Sequence, residues 1–380
     1  MTVRQFPSIA GVMTSVWTVP TDFPEADGTA DWDGTTLVLA QVIAGSEVGL
    51  GWTYGSPACA AVIEQTLAPV LVDHDPMATT AAWTAMVRAL RNLGRPGIGG
   101  MALSAVDYAL WDLKARLLEI PLHRLLGAVR GDVAVYGSGG FITYDDARLR
   151  EQVRSWQDEG MTRVKIKIGE NWGTAEERDL RRVEQVREWI GPDVELFVDA
   201  NGAYSAAQAI RLARAMERYD VRWFEEPVSS EDTDGLRAVR ERSRAEVAAG
   251  EYGHSLADLA RLCTTQAVGC LQIDVTRCGG ITEFLRAAAV AAAHGLDVSG
   301  HCAPNLHAPL LAALPNARHV EWFHDHRRIE AMLFEGALEP RGGTVRLRED
   351  QPGLGIHPRP EPSEDKHRND SGNPIGRATK

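Results

Sequence analysis

Between Asp132 and Trp322, eight short apolar runs alternate with stretches of helical periodicity. The runs are VAVYGSGG from Val133, RVKIKIG from Arg163, VELFVDAN from Val194, VRWFEEP from Val221, EVAAGE from Glu246, CLQID from Cys270, LDVSGH from Leu296 and RHVEW from Arg318. A short apolar run followed by a helix, repeated, is the pattern of βα units and predicts a parallel sheet buried on both faces. Eight units predict a closed TIM-type barrel over residues 128–322 rather than an open doubly wound sheet.

Upstream the pattern is mixed. Thr36 to Ala44 reads as a buried strand, and helices are predicted around Ala58 to Val70, Thr79 to Leu93 and Ala102 to Leu118. Residues 1–127 therefore form a separate α+β unit. The glycines of Gly97–Gly100 invite a nicotinamide-binding reading, but a dinucleotide fingerprint needs a preceding strand and a later acidic residue, so they read as a helix-entry turn. Residues 323–360 contain one further strand, TVRLRE from Thr344, and the turn PGLGI. The segment 361–380 has almost no apolar content and is expected to be disordered.

The chain carries 52 acidic and 40 basic residues, a formal charge of -12. Such a surface repels phosphate backbones and anionic leaflets, which argues against nucleic acid and membrane partners and for a small molecule. Cys59, Cys263, Cys270, Cys278 and Cys302 contain no C-x-x-C pair and read as reduced thiols. Neither a signal-like N-terminus nor a spanning apolar run is present, which points to a cytoplasmic protein.

In a barrel of this kind the chemistry sits at the C-terminal ends of the strands. The second run ends with Lys165 and Lys167, the third with Asp199 and Asn201, the fourth with Glu225 and Glu226, and the fifth with Glu251. The sixth to eighth end with Asp274, His301 and Glu321. Asp199, Glu225 and Glu251 fall 26 residues apart, one βα unit each. Three carboxylates converging on one point require a hard dication, and an all-oxygen set with open positions suits Mg²⁺. Lys165 and Lys167, two apart on a strand, share one side of it, and a lysine beside a metal and another lysine is expected to have a lowered pKa. Asp274 and His301 end neighbouring strands, where a carboxylate fixes the imidazole tautomer and makes a second base. Glu321 is expected as a protonated acid donating to a developing enediolate. His254, His307, His324 and His326 lack such partners and read as structural.

Together these segments resemble the enolase superfamily, specifically its mandelate racemase group. The motifs KIKIG, VDAN, FEEP, GE, LQID and SGH occur in order, and ALSAVDYALWDLKARLLEIPLHRLLG from Ala102 is similar to the N-terminal signature of mandelate racemases and muconate lactonizing enzymes. The resemblance implies an N-terminal α+β cap, completed by residues 323–360 returning to it, over a (β/α)7β barrel. It implies Mg²⁺ on Asp199, Glu225 and Glu251, acid/base roles for Lys167 and for the His301 and Asp274 dyad, and Lys165 on the substrate carboxylate. It further implies a homo-oligomer.

The shared chemistry is removal of a proton next to a carboxylate. Loss of a neighbouring hydroxyl would make the enzyme an acid-sugar dehydratase, and return of a proton to the opposite face would make it a racemase or epimerase of a 2-hydroxy acid. A barrel that binds metal without catalysis is the alternative of another class. The segment Thr21–Asp33 holds five acidic residues and no basic one, and is read as a flexible cap loop. Closed over the substrate, it would favour hydroxyls and repel a second carboxylate, hence aldonates over aldarates, with Asp22, Trp32 and Asn201 as candidate substrate contacts.

Overall fold

The computed structural model describes residues 5–360; the tail 361–380, expected to be disordered, lies outside the described residues. Three strands, β1 (Gly11–Ala26), β2 (Asp31–Ala44) and β3 (Glu47–Tyr54), form an antiparallel sheet in sequence order. The helix Ile98–Leu117 lies across it. Their approach is close because β3 carries glycine where it meets the helix: a Cβ on Gly51 would lie 2.3 Å from the Ala105 carbonyl oxygen, and one on Gly49 would lie 2.1 Å from that of Ala109. Gly97 precedes this helix at φ 73°, so the glycine cluster is the helix-entry turn that the sequence suggests.

The segment read as a flexible loop is a correction. Thr21–Ala26 belongs to β1 and Asp31–Asp33 to β2, leaving only Asp27–Ala30 as a turn. Pro20 and Pro24 mask the strand pattern, and the register shifts between Pro20 and Glu25. The helix expected from Ala58 to Val70 is also broken, into Ala58–Val62, a π-helical turn and a 3₁₀ turn containing Pro69.

The eight expected barrel strands are all present: β4 (Asp132–Gly139), β5 (Arg163–Lys167), β6 (Glu195–Asp199), β7 (Val221–Glu225), β8 (Glu246–Ala249), β9 (Cys270–Ile273), β10 (Asp297–Gly300) and β11 (Ala317–Phe323). They pair in parallel in sequence order, and β11 closes the ring on β4. Tyr136, Phe197, Trp223 and His319 pack together within the barrel, Phe197 stacked on Trp223, Tyr136 edge to face with Phe197 and His319, and Trp223 edge to face with His319, so it is a packed core rather than a pore. Buried Arg182 donates to the carbonyls of Gly140, Phe141 and Tyr144, fixing the segment after β4.

The C-terminal segment contacts both units. Thr344–Arg346 pairs antiparallel with the start of β4, while the Asp112 and Arg116 side chains of the cap helix bond to Leu354 N–H and the Ile356 carbonyl. Phe334 stacks on Trp52 of the cap. No helix among the described residues is long and apolar enough to cross a membrane.

Candidate active site

Register aligns the ends of the central strands. Lys167 pairs with Asp199 and Asp199 with Glu225 across β5, β6 and β7, so these side chains emerge at one level of the barrel mouth. Glu251 follows β8, Asp274 follows β9, and His301 follows β10, where its N–H bonds to the Ile273 carbonyl. Glu321 lies within β11 beside β4, and Ser138 Oγ donates to its Oε1 at 2.6 Å. Lys165, Lys167, Asp199, Glu225, Glu226, Glu251, Asp274, His301 and Glu321 are all buried.

Every one of these acidic groups except Glu226 is met by a basic side chain. Lys167 Nζ lies 2.5 Å from Asp199 Oδ2 and 3.0 Å from Asn201 Oδ1. Lys165 Nζ lies 2.7 Å from Glu225 Oε1 and 2.7 Å from Glu321 Oε1. Glu251 is 3.2 Å from His301 Nε2 and 3.2 Å from Arg277. His301 Nδ1 is 2.9 Å from Asp274 Oδ2, and Asp274 Oδ1 accepts from the N–H and hydroxyl of Thr276. The expected dyad is therefore formed, with Nδ1 turned to the carboxylate and Nε2 toward the mouth.

The electrostatics depart from expectation at two residues. Lys167 is expected below the usual lysine range beside a metal; here burial, the largest influence, and Lys165 work against its charge, but Asp199, Asp27 and Glu251 together outweigh them and hold it above the range. Glu321 is expected as a protonated donor. Burial favours that form, yet Lys165, His301 and Lys167 hold the carboxyl well below its usual value, so it stands as a carboxylate. Burial also opposes the His301 imidazolium, and Cys302, Glu251, Glu321 and Asp274 together raise it well above the usual histidine value. Burial and the neighbouring Asp199 push Glu225 up to about 8 despite Lys165.

The donor set fits a hard dication. Asp199, Glu225 and Glu251 come from the ends of three successive strands and offer only oxygen, and the neighbouring Glu226 Oε1 is buried without a hydrogen-bond partner. Glu225, Glu251 and His301 offer ligand atoms within 4.8 Å of one another. Asp199 stands outside that trio, with its Oδ2 held by Lys167.

The cap reaches this mouth by its β1–β2 turn. Gly28 packs on Gly169, beyond β5, where a Cβ would lie 2.5 Å from the carbonyl oxygen, and its own carbonyl accepts from Trp172 N–H. The charge of Asp27 in this turn acts on Lys167. Asp22, chosen from the sequence as a substrate contact, lies 3.1 Å from His324 and 3.4 Å from Arg148. Trp32 Nε1 donates to Glu25 Oε2 at 2.8 Å, with its ring against Phe141. Asp27, Arg277 and Cys302 are additions that the sequence reading did not single out; for Asp27 the Asp-Gly pair at a turn was the available signal.

Residues 26–127 match the family model of the mandelate racemase / muconate lactonizing enzyme N-terminal domain, and residues 148–362 match the enolase C-terminal domain-like model. The chain is 33% identical to L-talarate/galactarate dehydratase of Salmonella typhimurium, over 81% of this chain and 76% of that protein. It is 31% identical to D-galactarolactone cycloisomerase of Agrobacterium fabrum, over 92% and 96%, and 29% identical to arabinonate dehydratase of Saccharolobus solfataricus, over 81% and 83%. Among solved structures, a mandelate racemase/muconate lactonizing enzyme-like protein from Rubrobacter xylanophilus superimposes with a TM-score of 0.89 at 47% identity, covering 93% of this chain and 97% of that one. A racemase from Streptomyces coelicolor with bound magnesium gives 0.87 at 29% identity, covering 92% and 97%.

Proposed function

Because the chain belongs to the mandelate racemase / muconate lactonizing enzyme family of the enolase superfamily, we propose that it removes the α-proton of an aldonate and eliminates water to give a 2-keto-3-deoxy acid. The observation that carries this reading is the pair of proton-transfer groups at one mouth: Lys167 on β5 and the His301–Asp274 dyad after β10 and β9, nearly across the ring from each other. Lys165 lies between the Glu225 and Glu321 carboxylates at the same mouth, and is the candidate to hold the substrate carboxylate.

Asp199, Glu225 and Glu251 would hold Mg²⁺. A hard dication there supplies positive charge to the substrate carboxylate as the α-proton leaves. Lys167 sits against Asp199 and His301 against Glu251, two carboxylates of this donor set. Carboxylates drawn to a dication would stabilise the two cations less, so that one side chain, in its neutral form, would take the α-proton while the other delivers a proton to the departing β-hydroxyl, with Asp274 still orienting the imidazole.

The preference for a monocarboxylate rests on Asp27, whose charge sits at the turn closing on Lys167. A distal carboxylate there would meet like charge, whereas a hydroxyl can donate to it. The relatives include enzymes named for both substrate types. Proton NMR in D₂O with Mg²⁺, against aldonates, aldarates and simple 2-hydroxy acids, tests the reading. A deuterated 3-deoxy-2-keto product from an aldonate is expected. Exchange of the α-proton with an intact skeleton throughout would indicate epimerisation and defeat it.

A further inference from the structure

Four of the five cysteines, Cys59, Cys263, Cys270 and Cys278, are packed in the protein interior, at 0–2% exposure. Cys302 lies at the barrel mouth beside His301, and the proposed reaction makes no use of its thiol. Its Sγ is 3.4 Å from His301 Nε2 and 3.4 Å from Glu321 Oε2, and those two atoms are 3.7 Å apart. A tetrahedral zinc with Zn–S of about 2.3 Å and Zn–N and Zn–O of about 2.0–2.1 Å separates its ligand atoms by roughly 3.3–3.6 Å. The three atoms thus stand close to three corners of a zinc tetrahedron.

The surroundings prepare each atom for that role. Asp274 holds His301 Nδ1, the carboxylate–histidine arrangement that orients metal-binding imidazoles through the other nitrogen. Ser138 and Lys165 hold Glu321 Oε1, leaving Oε2 toward the thiol. Cys302 and Ala303 both adopt positive φ, 51° and 35°, a costly conformation for non-glycine residues that must be imposed by the surrounding structure. It brings the Cys302 N–H to 3.0 Å from Glu321 Oε2. The sulfur, nitrogen and oxygen set also differs in kind from the all-oxygen set of Asp199, Glu225 and Glu251, so the two would select different ions.

We propose that His301, Cys302 and Glu321 form a second metal site, for zinc or a similarly thiophilic dication, distinct from the magnesium donors. Its occupation takes the Nε2 lone pair that the dyad needs as a base. Thiophilic metal therefore inhibits, and excess Mg²⁺ does not relieve the inhibition.

The test is a Co²⁺ titration of the full-length protein in saturating Mg²⁺, read by thiolate-to-cobalt charge-transfer absorption in the near ultraviolet. That absorption is expected at one equivalent, should be removed by one equivalent of Zn²⁺, and should need about tenfold more Co²⁺ in Glu321→Gln. Cys302→Ser and Cys302→Ala should lack it while melting as the wild type does. Wild-type protein without the absorption would overturn the site, whatever the variants do. So would absorption unchanged in His301→Asn and Glu321→Gln, because the thiolate would then be binding metal without the other two ligands. None of these readings depends on the reaction proposed above.

Discussion

Lys167 and His301 carry the proposed chemistry, and their separate removal distinguishes their roles. General acid or base groups each contribute about 10²–10⁴-fold. Lys167→Ala and His301→Asn are both expected to lower dehydration by that factor with melting temperatures near wild type. In D₂O, the variant lacking the first base should lose α-proton exchange, while the other keeps exchange and loses only water elimination. Turnover within tenfold of wild type in either variant would remove that residue from the mechanism. These residues were legible in the sequence because the residues that close successive apolar runs converge on one rim of a barrel. The charge states of Lys167 and Glu321 were not, since they depend on how many carboxylates surround two lysines. Cys302 was hidden for a different reason: its place beside Glu321 is made by a left-handed backbone that no periodicity announces.

The cap hairpin shows where reading elements from pattern fails. β1 carries prolines and acidic residues, and its alternation is recognisable only once its partner β2 is known. The long helix of the cap was read nearly to its ends, because a buried helix keeps its apolar spacing whatever packs on it. What joins helix to sheet is the absence of side chains at Gly49 and Gly51. Gly51→Ala would press a methyl group to 2.3 Å from backbone, contact that no rotamer change can relieve, so a loss of about 3 kcal/mol is expected. Gly11→Ala, with nothing within 4 Å of its Cβ, should change stability by less than about 0.5 kcal/mol. Thermal melts of the two variants side by side check the argument, and equal effects would refute it. Arg182→Met offers a parallel test in the barrel. It strips buried carbonyls of Gly140, Phe141 and Tyr144 of their donor, with an expected cost of about 3 kcal/mol. A melting temperature like that of wild type would mean that water replaces the guanidinium.

Cap and barrel meet along a seam of buried polar bonds. Asp107 accepts from Thr282, Ser104 from Gly279 and Gly280, and Glu330 from Trp52, Tyr54 and Asn305. Near the hairpin end of this seam, Glu25 is buried with one oxygen bonded to Trp32 and the other without a partner, and burial, with Asp325 and Asp22 nearby, pushes its pKa from 4.5 to about 8. The linkage follows from where the proton resides. Below about pH 4.5 the folded and unfolded chains both hold it, and this group's contribution to stability is fully present. Between 4.5 and 8 the unfolded chain releases the proton while the folded chain keeps it, so stability falls as pH rises. Above 8 the loss is complete, about 5 kcal/mol if the hairpin stays closed and less if it opens locally to hydrate the carboxylate. Glu25→Gln keeps an acceptor for Trp32 and cannot ionise, so it should remain more stable than wild type at pH 9 and approach it at pH 5. Urea melts of both proteins at pH 5, 7 and 9 measure the difference, and parallel curves at all three would show that Glu25 does not titrate with folding. Hydrogen exchange in β1 and the start of β2 at pH 9 locates the response: faster exchange confined to Asp22–Asp33 in wild type means that ionisation opens the hairpin end over the barrel mouth, leaving the rest of the seam intact.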